Sequence, residues 1–126
     1  MILVEGFFDA IAVHQAGYPA VGLMGSTLSR PQAELLVSHF DRAVLMLDGD
    51  DAGRQGTGAI HTVLPGRMPV SVISLESGGQ PDQLPSDQLR NVISEHWNCP
   101  HDIRSRADTR TNVGGQTSGL GGGRQP

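Results

Sequence analysis

Short, continuous apolar runs alternate along the chain with longer stretches in which apolar residues recur at helical spacing. Ile2-Leu3-Val4 is a β-branched run stopped by Glu5-Gly6 and predicts a buried strand. Phe7 to Ala16 follows, with Phe8, Ile11, Ala12 and Gln15 at helical intervals and Gly17 as the stop. Ala20-Val21-Gly22-Leu23 predicts a second strand. Ser29-Arg30-Pro31 places a proline in the first turn of a helix behind a serine cap, and that helix runs on through Ala33, Leu36, Val37 and Phe40. Ala43 to Leu47 is the clearest strand, apolar at every position and so covered on both faces. It leads into Asp48-Gly49-Asp50-Asp51-Ala52-Gly53. A third helix, weakened by Gly56 and Gly58, is expected over Asp51 to Val63, closed by Pro65-Gly66. Val70 to Leu75 predicts a fourth strand. After Gly78-Gly79, Asp87 to His96 carries Leu89, Val92 and Ile93 on one helical face.

The resulting order, β-α-β-α-β-α-β-α, implies an α/β fold: a compact Rossmann-like, four-stranded, mainly parallel sheet with helices on both faces. Ligands of such sheets bind beyond the carboxyl ends of the strands. Four acids stand at those ends: Glu5 after strand one, Asp48 and Asp50 after strand three, and Asp82 in the loop after strand four. They converge only if strands one and three are neighbours, as at the switch point of a doubly wound sheet.

Composition divides the chain. Residues 1–97 hold the apolar runs. Residues 98–126 are rich in Gly, Arg, Thr, Gln and Ser, with Ile103, Val113 and Leu120 as the sizeable aliphatics. Such a stretch buries too little surface to offset its ordering entropy, so a folded domain over 1–97 and a disordered tail over 98–126 are expected. The formal net charge is −4, carried by 13 acids against 9 arginines and no lysine. Four of those arginines lie in the tail, which leaves an acidic body. An acidic surface is a poor holder of phosphate backbone by itself and a good binder of cations. The single cysteine, Cys99, excludes an intrachain disulfide and a four-cysteine zinc site. The first apolar run is too short for a signal-peptide core, and no run approaches a membrane span, so a cytoplasmic protein without membrane contact is expected.

Asp48 and Asp50 are two positions apart on chain leaving a strand, so their side chains can point the same way, and Gly49 between them permits a sharp turn. With Glu5, three carboxylates could share one pocket. Two charges roughly 5 Å apart repel by about 3 kcal/mol at an effective dielectric near 20, a cost that a divalent cation would offset. An all-oxygen carboxylate set suits Mg²⁺ or Mn²⁺ and not zinc. The competing reading is that Asp48 and Asp50 only cap the next helix or form an Asx turn.

Three blocks carry a resemblance: Leu3-Val4-Glu5-Gly6-Phe7-Phe8-Asp9, Met24-Gly25-Ser26-Thr27-Leu28, and Leu47-Asp48-Gly49-Asp50-Asp51-Ala52-Gly53-Arg54. Together and in this order they resemble the Toprim domain of bacterial primases, over residues 2 to about 90. The resemblance implies Mg²⁺ held by Glu5, Asp48 and Asp50 for nucleotidyl transfer or phosphodiester cleavage. Asp82 is a further metal-site acid, Asp9 matches the acid one turn into the first helix, and Arg54 matches the basic residue after Ala-Gly. Gly6 and Gly49 complete the motif positions. Gln80-Pro81-Asp82 stands where primases show Asp-Pro-Asp, so one acid of a second metal site is replaced, and Asp51 stands where a basic residue is common.

The implied activity is synthesis of RNA primers on a DNA template from ribonucleotides. It would depend on a separate basic lobe to hold the template, with a replicative helicase as a further partner of the family. A Toprim nuclease and a non-catalytic binder of metal or nucleotide are the alternatives. Asp9 also reads as a solvated first-turn acid, Arg54 as a surface residue, and Gly25-Ser26-Thr27 as a plain turn instead of a phosphate cradle. His96, Cys99 and His101 offer too few ligands, in too polar a stretch, for a zinc site.

Overall fold

The computed structural model describes residues 1–98. Four strands, β1 (Ile2–Val4), β2 (Ala20–Gly22), β3 (Ala43–Leu45) and β4 (Val70–Val72), alternate with four helices, α1 (Phe7–Gln15), α2 (Arg30–His39), α3 (Asp51–Val63) and α4 (Ser86–Trp97). A short 3₁₀ turn at Pro81–Gln83 precedes α4. The sheet order is β2-β1-β3-β4 and every pairing is parallel, so the sheet is wholly and not just mainly parallel. Because β1 leads outward to β2 on one side and lies beside β3 on the other, the switch point falls between β1 and β3. The neighbouring strands required for the acids to meet are present.

The alternation of side chains along each strand divides the core in two. Leu3 and Leu45 point to the face covered by α2 and α3, where they join Ala33, Leu36, Ile60 and Leu64. Ile2, Val4 and Val44 point to the opposite face and pack with Val13, Ala16, Leu89 and Ile93 of α1 and α4. Each fully buried aliphatic side chain contributes roughly 1.5–3 kcal/mol of transfer free energy, so both faces are needed to hold so short a sheet together.

Three of the four strands are shorter than the apolar runs that encode them, β1 alone matching its run. β3 ends at Leu45, not Leu47, although Met46 and Leu47 are buried, and β4 ends at Val72, not Leu75. The physical reason is register. The β1–β3 pairing runs out at Leu3–Leu45 and the β3–β4 pairing at Leu45–Val72, so the chain leaves the ladder there while staying inside the core.

Helix ends follow the local chemistry. Ser29 caps α2, with its side chain accepting from the Gln32 amide, while Gln32 Oε1 accepts from the Ser29 amide at 2.8 Å. Gly17, after α1, takes a left-handed φ of +97° that a side chain would resist. No helix among the described residues is long and apolar enough to cross a membrane. The proposed tail, apart from Asn98, lies outside the described residues, as do Cys99 and His101.

Candidate functional site

The carboxyl ends of β1 and β3 and the loop after β4 meet at one edge of the sheet. Glu5 follows β1, and its Oε1 accepts the Asp48 backbone N–H at 3.1 Å, tying the end of one central strand to the end of the other. Gly49 lies against the loop beyond β4. Its N–H donates to the Gly79 carbonyl at 2.8 Å, and its own carbonyl accepts from the Gly78 N–H at 3.0 Å. A Cβ on Gly49 would fall 1.9 Å from the Glu76 carbonyl oxygen, so only glycine fits. The glycine expected to permit a sharp turn therefore also serves a close approach between two backbones.

The same logic explains Gly53, a first-turn position of α3. A Cβ there would lie 2.0 Å from the Asp48 carbonyl oxygen and 2.7 Å from Glu5 Oε1. Gly56, expected only to weaken α3, makes room for the Ser26 carbonyl, 2.2 Å from where its Cβ would be. Glycine at helical positions 53 and 56 was the available signal for these close approaches, because a glycine inside a helical pattern usually has a packing reason.

Asp9 is neither solvated nor in the position of a free ligand. It is buried at 6% exposure, and its two oxygens accept the Gly6 N–H at 3.0 Å and the Asp82 N–H at 3.1 Å. It thereby pins the 3₁₀ turn of the β4 loop to the start of α1. Gly6 must stay small beside it, since a Cβ would meet Asp9 Oδ2 at 2.8 Å.

Glu5, Asp9, Asp48 and Asp82 line one cleft of about 360 Å³ together with Gly6, Phe7, Phe8, Met24, Gly25 and Gln80. Asp50 is not among its walls. It caps α3, with Oδ1 accepting the Gly53 N–H at 2.7 Å, which is the role the bland reading gave it. Arg54 faces the loop and not the cleft: it donates to the Gly49 carbonyl at 2.5 Å and to Asp51 at 2.6 Å, in an exposed ion pair. Exposed pairs of this kind contribute under about 1 kcal/mol, so Arg54 serves mainly to hold the turn's shape.

Asp48 is the electrostatic centre. Its Oδ1 is buried and has no hydrogen-bond partner, the sole such side-chain atom among the described residues. Burial first, and then Glu5, Asp9, Asp50 and Asp82, push its carboxyl from the ordinary 3.8 up to about 6. Among the described residues no three His, Cys, Asp or Glu side chains already converge as a ready-made ion cage. Glu5 and Asp48 are together, Asp82 shares their cleft, and Asp50 is turned aside into its cap. The four carboxylates of the cleft offer only oxygen, and the orphaned Asp48 oxygen is a coordination position without a proton donor. That combination fits a hard divalent cation.

Residues 2–84 match the family described as Toprim-like. The chain belongs to that family.

Among curated relatives, the chain is 39% identical over 88 residues to DNA primase of Rickettsia typhi, spanning 66% of this chain and 15% of the relative. It is 33% identical over 99 residues to DNA primase of Aquifex aeolicus, spanning 74% of this chain and 20% of the relative. It thus spans a small part of the curated relatives it matches. Among solved structures, the zinc-binding and RNA polymerase domains of the Aquifex aeolicus primase superpose with a TM-score of 0.64 at 33% identity, covering 75% of this chain and 25% of that one. A DNA primase domain from Pseudomonas aeruginosa superposes with a TM-score of 0.65 at 31% identity, covering 75% and 32%. The α/β fold with a parallel sheet and the resemblance to primase Toprim domains are both borne out. All three motif blocks of this Toprim-like domain contribute to the cleft, together with Gln80 and Asp82 of the β4 loop.

Proposed function

We propose that this Toprim-like domain is the metal-carrying catalytic module of a primase-type nucleotidyltransferase, extending RNA primers on a DNA template with Mg²⁺ or Mn²⁺. One observation carries it: the buried, unpartnered Asp48 oxygen at the sheet's switch point, among four further carboxylates that raise its pKa. Glu5 and Asp48 would hold the ion, with Asp82 across the cleft. Asp50 would join only by leaving its cap, at a cost of about 1 kcal/mol. The ion would neutralise phosphate charge as the new bond forms. The protein's own part is to fix the ends of β1 and β3 and to keep Gly49 and Gly53 side-chain-free, so that the carboxylates hold their positions.

The primase reading is favoured over the nuclease reading by the curated relatives, which are DNA primases. One of the similar structures is a DnaG primase catalytic domain bound to ssDNA, 26% identical with a TM-score of 0.62, and this supports a single-stranded template as the partner. Residues 1–98 carry eleven acids and five arginines, so template must be held by cationic groups outside them.

The test is template-directed synthesis with the purified chain, Mg²⁺ or Mn²⁺ and four ribonucleotides, with and without a primase basic lobe supplied in trans. Little product from the chain alone and product on complementation, lost with Asp48→Asn, are expected. Cleavage of the template instead would install the nuclease reading, and an Asp48→Asn variant as active as wild type would refute the site.

A further inference from the structure

Two of the chain's three phenylalanines are left in solvent, Phe7 at 60% and Phe8 at 71% exposure, and with Met24 they are among the most exposed large apolar side chains of the described residues. Both stand in the first turn of α1, directly after Glu5 and Gly6, and both line the carboxylate cleft. Their rings meet edge to face, with centroids 5.9 Å apart and planes at 71°. Met24, exposed at 73%, joins them on the rim. Its N–H donates to the Glu5 carbonyl at 2.8 Å and its φ of +59° is left-handed, a conformation rare for a side chain of this size. The backbone that fixes Glu5 therefore also fixes Met24 at the cleft mouth.

One end of the cleft is thus anionic and suited to a cation with phosphate oxygens, while its rim is aromatic and soft. From this juxtaposition we infer that Phe7, Phe8 and Met24 form a stacking shelf for the base of a nucleoside triphosphate whose metal-bound phosphates lie over Glu5 and Asp48. The inference rests on the metal reading above and adds the part that recognises the base. A base lying parallel to one phenyl ring meets the other nearly edge-on, an arrangement that holds a flat ring on two sides. The shelf's side chains carry no hydrogen-bond donor and only the weakly accepting Met24 sulfur, so it would take any of the four bases: every base has a π-face, and stacking discriminates weakly. The cleft's volume of about 360 Å³ lies within the range of small-ligand sites.

The experiment is a calorimetric titration of the full chain with ATP, GTP, CTP and UTP, and separately with tripolyphosphate, all saturated with Mg²⁺. Wild type should bind each nucleotide roughly 5- to 100-fold more tightly than tripolyphosphate, with differences among bases below about tenfold. Phe7→Leu/Phe8→Leu, which keeps an apolar rim without π-faces, should lose that preference and retain its tripolyphosphate affinity. Phe7→Tyr/Phe8→Tyr should keep both. Equal affinity of wild type for nucleotides and tripolyphosphate overturns the shelf and leaves the metal reading standing. Absence of binding by either ligand at millimolar concentration overturns both. Unchanged nucleotide preference in the leucine variant, with sedimentation shifted from a dimer to a monomer, overturns the shelf in favour of an interface between copies.

Discussion

Replacing Asp48 by asparagine keeps the side chain's shape and removes its charge, and the structure fixes the direction of the effect. The folded protein raises the Asp48 pKa from 3.8 to about 6, so the native state binds this proton more tightly than the unfolded chain does. A raised carboxyl pKa stabilises the fold at low pH and penalises it at high pH. The penalty is absent below about pH 4, grows as pH rises through the interval up to 6, and is complete above it. A shift of about two units corresponds to about 3 kcal/mol, and solvent screening of a partly exposed carboxylate reduces this to roughly 1–2 kcal/mol. Metal-free Asp48→Asn should therefore be more stable than wild type by roughly 1–2 kcal/mol at pH 8, a Tm rise of some 4–16 °C for a domain of this size, and indistinguishable from it near pH 4. Adding millimolar Mg²⁺ at pH 8 should raise the wild-type Tm by mass action and leave the variant unmoved. Calorimetric melts at the two pH values, with and without Mg²⁺, supply all the measurements. A variant less stable than wild type at pH 8, or a gap of equal size at both pH values, would refute the account of Asp48 as an uncompensated charge. An identical Mg²⁺ response in the two proteins would remove the metal site.

Three further outcomes follow from named contacts. Gly49→Ala should cost about 3 kcal/mol or more in urea denaturation, because its Cβ would lie 1.9 Å from a backbone oxygen that cannot yield without moving the β4 loop. Gly58→Ala, with open space around the new Cβ, should stabilise the same helix by roughly 0.5–1 kcal/mol. Asp9→Ala should cost roughly 2–4 kcal/mol by stranding the Gly6 and Asp82 amides, and hydrogen exchange should show the Asp82 amide losing protection, an outcome that a solvated surface acid would not give.

The sequence made the architecture legible because four apolar runs and three interleaved helical patterns admit few arrangements, and because Glu5 and Asp48 fall at strand ends. Side-chain direction was harder to read. Asp48 and Asp50 share a parity that would aim them alike on an extended strand, but the ladder stops at Leu45, and Asp50 turns to cap α3. Asp9 looked like any first-turn acid, since its partners are backbone amides, one of them 73 residues away. Backbone amides leave no trace in composition. The glycines at 49, 53 and 56 were visible, yet what each makes room for is a carbonyl from a distant segment. Phe8 was read for helical spacing and Phe7 as the start of that helix, and neither spacing nor a motif position separates a core residue from one on a cleft rim.

The stitch between Gly49 and the Gly78–Gly79 turn is made of main-chain atoms alone. Side chains on the facing loops can therefore change without undoing it. Gln80 stands in this cleft where the resemblance to primases implies an acid, and its side chain's hydrogen bond, accepted from Gln83 at 3.4 Å, stays within its own turn. Such a frame separates shape from chemistry: charge at position 80 can be gained or lost in a single substitution while Asp48 and Asp82 keep their places. A change of charge in the cleft therefore needs no rebuilding of its frame, only a new side chain on the same backbone.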